Sequence, residues 1–206
     1  MDTSRLSGLF ARCDTSTWKQ AGKHVSYRFE RDEDELTIFF QGSCEPIDWF
    51  RNFMFAKRPY KDMKEPYRVH GGFLKAWKEV EDIVRAEIKD ETIKHITIVG
   101  YSHGGALCAF CHECVWFDRP DLRSSIDGYA FEAPRIYAGF KVKKSLLPRW
   151  ERLYIIRNDM DIVTHLPPIA FGFCHVGNIL HVGKGEFYGF IKSHMQKNVS
   201  KSLENL

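Results

Sequence analysis

Apolar and polar residues alternate one for one through HVSYRFE at 24–30, the period of a strand with one face in water. A charged turn, RDEDE, follows. LTIFFQ at 36–41 is then apolar on both sides, as a strand covered from above and below must be. Between 72 and 90 the period lengthens: Phe73, Leu74, Trp77, Val80, Ile83, Val84 and Ile88 recur at helical spacing opposite a polar face. HITIVGY at 95–101 is a continuous run rich in β-branched residues, which predicts a central parallel strand, and a helix over about 103–117 comes directly after it. IDGYAFEAP (126–134) and RLYIIRN (152–158) predict two further strand-and-loop units. FCHVGNILHVG (173–183) predicts a late strand or hairpin, and the chain closes with a helix over roughly 192–204. Residues 1–23 read as amphipathic helix or coil, and Pro46 suits the first turn of a short helix.

Strands and helices taking turns, with central strands apolar on both faces, predict an α/β fold: a mostly parallel central sheet flanked by helices on both faces. No repeat, low-complexity segment or linker divides residues 1–206, so a single domain is expected. Composition changes this picture little, with 44% hydrophobic and 28% charged residues. A net charge of +3 with no long basic run argues against a nucleic-acid partner. Lys141, Lys143, Lys144, Arg149 and Arg152 gather loosely, as a solvated surface or one weakly attracted to anionic membranes. No stretch is long enough to cross a bilayer, and the first residues lack the apolar core of a signal peptide. The expected compartment is the cytoplasm, or the outside for a mature secreted form. Of six cysteines, Cys108, Cys111 and Cys114 fall within seven residues, a poor disulfide framework, so reduced thiols are expected.

Candidate chemistry begins at GYSHGGA, which fits G-x-S-x-G with Ser102 at its centre. A plain glycine-rich strand-to-helix connection would look similar. What sharpens the motif is its setting, with a buried strand running in and a Gly- and Ala-rich helix leaving. Glycines flanking the serine spare it collisions with strand and helix, and the helix N-terminus turns its unbonded amides toward the hydroxyl. A serine hydroxyl still needs a base to take its proton and an acid to hold that base. RNDMDIVTHLPP follows the strand at 152–156, so Asp159 and Asp161 both lie at a strand's carboxyl end, where open α/β sheets bind ligands. Four histidines come next. His175 and His181 fall in a strand-like pattern that would hold their rings in the ladder, and His165 follows the aspartates closely. His194 stands at a loop-to-helix junction and can reach a site from outside.

Taken in order, IFFQGSCEPIDWFRNF, VHGGFLKAW, ITIVGYSHGGALCAF, YAFEAPRI, NDMDIVTHLPP and SHMQKN resemble the class 3, fungal-type lipases of the α/β-hydrolases over about residues 35–200. The resemblance implies an acyl-ester hydrolase with Ser102 as nucleophile, Asp161 as triad acid in place of Asp159, and His194 as triad base. It implies an oxyanion hole from Ser43, by backbone N–H and hydroxyl, and from the backbone N–H of His103. It implies no metal and no organic cofactor. The partner would be a small-molecule or lipid ester, with transient contact to a lipid surface. Its oligomeric state is not implied. Departures are Tyr101 and His103, where many members carry His and Leu, and Glu132, where glycine is common. A phospholipase A1 on the same site, or a silent scaffold used for binding, are the alternatives.

Phe39, Phe40, Trp49, Phe50, Phe53 and Phe55 surround the expected oxyanion loop, either as core or as a short lid over 46–55. CAFCHEC at 108–114 could suggest haem or zinc, but inside a helix its thiols are expected to pack as small hydrophobes. His70, in VHGGF, is expected to sit before a helix rather than in the triad.

Overall fold

The computed structural model describes residues 3–13, 17–42, 56–60, 67–158, 160–182 and 192–204. Its centre is a seven-stranded sheet. The charged turn folds β2 (Val25–Asp32) back on β3 (Glu35–Phe40), with β1 (Lys19–Ala21) antiparallel on the outer edge of β2. From β3 onward all pairings are parallel, through β6 (His95–Tyr101), β7 (Ile126–Phe131), β8 (Leu153–Asn158) and β9 (Asn178–Val182). The fold is therefore α/β, and its mostly parallel sheet matches the expectation from the sequence. A separate two-stranded ribbon pairs β4 (Lys57–Tyr60) with β5 (Tyr67–His70).

Strand period divides the core in two. Leu36, Ile38, Phe40, Ile96, Ile98, Ala130 and Ile155 face one side, where α2 (Gly71–Glu87) and α3 (His103–Asp118) cover them. Phe39, Val99, Tyr101, Phe131 and Ile156 face the other. There α1 (Thr3–Ala11) and α4 (Gln196–Glu204) lay down Leu6, Leu9, Phe10, Val199 and Leu203. Phe39 and Phe40 are core residues; Trp49, Phe50, Phe53, Phe55 and the rest of 46–55, Pro46 included, lie outside the described residues.

All of α3 from His103 to Val115 is buried, so this helix runs through the core. Its cysteines pack there as free thiols: Cys108 donates to the Ile98 carbonyl at 3.5 Å and Cys114 to an Asp118 carboxyl oxygen at 3.8 Å. Glu113 from the same helix accepts from Arg149 at 2.8 Å and from the Tyr67 hydroxyl. Arg149 is thus a buried ion-pair partner and not part of a surface basic cluster. Arg152 pairs with Asp127 at 2.8 Å, while Lys141, Lys143 and Lys144 are exposed.

The late segment differs from the hairpin alternative. Among its described residues only 178–182 forms a strand, and it pairs parallel to β8. Cys174 makes an isolated bridge to Tyr137 instead, and the His175 ring is not held in a ladder, its Nε2 lying 2.9 Å from the Thr164 carbonyl. Gly177, with φ of +80°, turns the chain between the two parts. Among the described residues no helix is long and apolar enough to cross a membrane.

Candidate active site

Ser102 occupies the bend between β6 and α3 with φ of +55° and ψ of −119°, outside the regions open to most L-residues. Its amide donates to the Phe131 carbonyl at 2.9 Å, which ties the bend to β7. Two glycines make the bend possible. A Cβ at Gly100 would stand 2.0 Å from the Gly104 carbonyl oxygen, and one at Gly104 would stand 2.2 Å from the Phe40 oxygen. Any larger residue at either place would push α3 off the sheet. The strained backbone lifts the hydroxyl above the strand end, and the first-turn amides of α3, that of His103 included, start beside it.

Asp161 leaves the carboxyl end of β8 and caps the short turn Ile162–His165. Its Oδ1 accepts the Val163 amide at 2.8 Å, and its own carbonyl accepts the Thr164 hydroxyl at 2.9 Å. These local bonds fix the second carboxyl oxygen for another partner. Asp159 lies outside the described residues.

His194 ends the single turn Lys192–His194 just before α4. Asn198 holds that turn by donating its side-chain amide to the Lys192 carbonyl at 2.6 Å. The imidazole bridges the other two groups: Nε2 is 2.7 Å from Ser102 Oγ and Nδ1 is 2.5 Å from Asp161 Oδ2. All three side chains are buried. In the neutral ring, Nδ1–H donates to the aspartate and Nε2 accepts the serine proton, the arrangement that generates an alkoxide-like nucleophile. Of the four later histidines, only His194 meets Ser102; His165 lies 3.0 Å from Arg157 and His175 against the Thr164 carbonyl.

Ser43 lies outside the described residues. Gly42, just before it, is so close to the bend that a Cβ there would be 2.8 Å from the Tyr101 ring and 3.3 Å from Ser102 Cβ. His103 sends its side chain away into the core, with its ring centroid 5.9 Å from that of Phe73, and burial pushes its pKa down to about 3. His70 caps α2, its Nδ1 accepting the Phe73 amide at 3.4 Å, and burial pushes it down to about 4.

The family model for class 3 lipases matches residues 37–171, about two thirds of the chain, from within β3 to beyond β8. The chain belongs to the class 3 lipase family. Among curated relatives, a lipase of Rhizomucor miehei is 29% identical over 172 residues, 78% of this chain and 46% of its own. A secreted mono- and diacylglycerol lipase of Fusarium solani is 28% identical over 150 residues, 68% of this chain and 42% of its own. The chain thus spans less than half the length of these relatives. In fold it is similar to the Rhizomucor miehei lipase in its propeptide complex, with a TM-score of 0.68 over 98% of this chain and 76% of that one at 19% identity. Lipase II of Rhizopus niveus gives 0.67 over 79% and 62% at 20%.

Two residues that depart from the common class 3 pattern sit against the three side chains. The Tyr101 ring stacks on the His194 imidazole, with centroids 5.2 Å apart and planes at 20°, and its hydroxyl donates to the His194 carbonyl. Glu132 adopts the left-handed backbone, with φ of +49°, that glycine takes freely, and buries its carboxyl beside Asp161. Sequence reasoning had singled out both as substitutions in a pattern. Neither contact is visible in it, because both partners lie far along the chain.

Proposed function

We propose that this chain is a serine carboxylic-ester hydrolase that cleaves acyl esters, those of glycerolipids in particular, through an acyl-enzyme. The observation that carries the reading is the His194 imidazole spanning Ser102 Oγ at 2.7 Å and Asp161 Oδ2 at 2.5 Å at the foot of a strained turn. Ser102 attacks the ester carbonyl while its proton passes to His194 Nε2. Asp161 holds the ring in the tautomer that can accept and stabilises the imidazolium. The oxyanion is bound by the backbone N–H groups of Ser43 and His103, with the Ser43 hydroxyl as a further donor. Each such donor is worth about 3 kcal/mol, or 10²–10³ in turnover. His194 then protonates the leaving alcohol, and the alcohol departs. Water repeats the sequence on the acyl-enzyme, giving its proton to His194 as it attacks. The fatty acid leaves and Ser102 recovers its proton. The chain's own groups and one water account for every proton and electron pair in this sequence.

The substrate class is supported by the names of the relatives, among them a mono- and diacylglycerol lipase. It carries with it transient contact with a lipid surface. Residues 1–206 are proposed to form one α/β-hydrolase domain, since α1 and α4, from opposite ends of the chain, pack on the same sheet face. For compartment, the mature secreted form has the support of the Fusarium solani protein's name, and the cytoplasmic reading has none among the relatives. Hydrolysis of p-nitrophenyl esters of rising chain length, beside a phospholipid, tests the reading. Turnover of carboxylic esters by the wild type and its loss in Ser102→Ala are expected. A folded wild type inert on all of them contradicts it, and preference for the phospholipid would move the assignment to a phospholipase A1.

A further inference from the structure

Glu132 is a buried acid that the reaction above leaves unused. It follows β7 at the same sheet edge as Ser102 and Asp161, is wholly shielded from water, and takes a left-handed backbone that disfavours any side chain. Both carboxyl oxygens face the Asn158 amide, at 2.9 and 3.1 Å. Its carboxyl lies beside that of Asp161, whose own amide donates to the carbonyl of the same Asn158 at 3.0 Å. Two buried carboxyl groups side by side away from water disfavour joint ionisation, and a proton held on one of them relieves it.

The partners decide which acid keeps it. Asp161 receives two separate N–H bonds that favour its charged form, from Val163 at 2.8 Å and from His194 at 2.5 Å. Glu132 receives one amide proton shared between two oxygens. Among the described residues, Arg157 of β8 is a cation facing Glu132, and Tyr101 and His194 are further titratable groups beside the pair. Burial and the Asp161 charge push Glu132 well above the usual carboxylate range, in the same direction as the geometry, while Arg157 pulls the other way.

We propose that Glu132 is a positioning residue of the triad, a carboxylic acid held neutral whose proton bonds the Asp161 carboxylate and moderates its pull on His194. The proposal rests on the triad reading above. An O–H bond to Asp161 draws charge from the oxygen that His194 uses, so the imidazolium is less stabilised in the free enzyme. The acid limb of the rate profile reads that difference. The same bond fixes the rotation of the Asp161 carboxyl.

The test compares pH profiles of kcat/KM on a soluble ester for wild type, Glu132→Gln and Glu132→Gly. Glutamine keeps a donor for Asp161 and an acceptor for the Asn158 amide, and glycine accepts the backbone while losing the donor. The acid limb of E132Q should coincide with that of wild type. The acid limb of E132G should move up by about one pH unit. A displaced E132Q limb, an E132G limb unmoved from wild type, or an E132Q chain that does not fold overturns the proposal. A merely structural role would lower rates without moving the limb. Infrared difference spectra at neutral pH read the proton without catalysis: E132Q should lose a carboxylic-acid C=O band, and loss of a carboxylate band instead overturns the proposal. An inactive wild type would sink the hydrolase reading while leaving this spectral result to stand or fall alone.

Discussion

At Tyr101 a single phenol serves the histidine in two ways, by a stacked ring and by a hydroxyl bonded to its carbonyl. The hydroxyl reaches backbone, so it anchors the loop that delivers the imidazole. Tyr101→Phe keeps the stack and leaves the His194 carbonyl without that donor. We expect a stability loss of about 1–3 kcal/mol, read by denaturant unfolding, and a lower kcat with little change in KM. Unchanged stability and kcat would show that the loop is held by other bonds. Gly104 offers a harder test, since a methyl group there meets backbone of β3 at 2.2 Å with no flexible atom to yield. Gly104→Ala should cost more than the roughly 1–3 kcal/mol typical of overpacking and abolish ester hydrolysis, measured by urea unfolding and turnover. Asp161→Asn, which keeps the shape and loses the charge that selects the tautomer, should lower kcat by about 10⁴. Ser102 and Asp161 were legible in the sequence because each sits in its own short string beside a strand. His194 was legible only by its place at a junction. The contacts of Tyr101 and Glu132 were not legible, since each depends on a meeting across the fold.

Among elements, the hydrophobic period located the long ones closely: 95–101 and α3 fall where the runs of apolar residues end. The ribbon of KRPY and YRVH was missed because Pro59 and the arginines give it no strand-like apolar pattern. The parallel pairing of β9 was open for a related reason, as NILHV is mostly exposed and its neighbour in the sheet is set by topology rather than by its own residues. The helices and loops that cover the sheet also bury four histidines whose pKa values burial pushes down: His70 and His112 to about 4, His103 and His175 to about 3. In the unfolded chain each takes a proton near pH 6.5. Their contribution is therefore full above that pH and is lost as pH falls toward 4. Two buried carboxyls act oppositely, Glu113 pushed up to about 7 and Glu132 also raised well above the usual range, so their contribution is lost as pH rises from about 4.5. Four groups against two leave stability rising with pH between about 4.5 and 6.5. The urea midpoint should be lower at pH 5 than at pH 7; an equal or higher midpoint at pH 5 would mean that the rings are not buried neutral.

For the whole molecule, the parallel arrangement explains why separated strings become one site. β6, β7 and β8 are neighbours in register, so the residues that follow them, Ser102, Glu132 and Asp161, emerge together at one sheet edge. This is where open α/β sheets place their ligands. His194 comes from the chain beyond β9, and α4 then seats itself beside α1 on the far face of the sheet. Fold class and edge were readable from alternation alone; the meeting of the two chain ends on one face was not, because contacts between α1 and α4 leave no local period. The central claim is that Ser102 is an activated nucleophile. A fluorophosphonate, which reacts only with such a serine, tests it most directly, followed by mass mapping of the labelled peptide. The account predicts one adduct per folded chain, on Ser102, suppressed by competing ester and absent from Ser102→Ala. A folded wild type that takes no label, or a Ser102→Ala chain that labels as well as wild type, would contradict it.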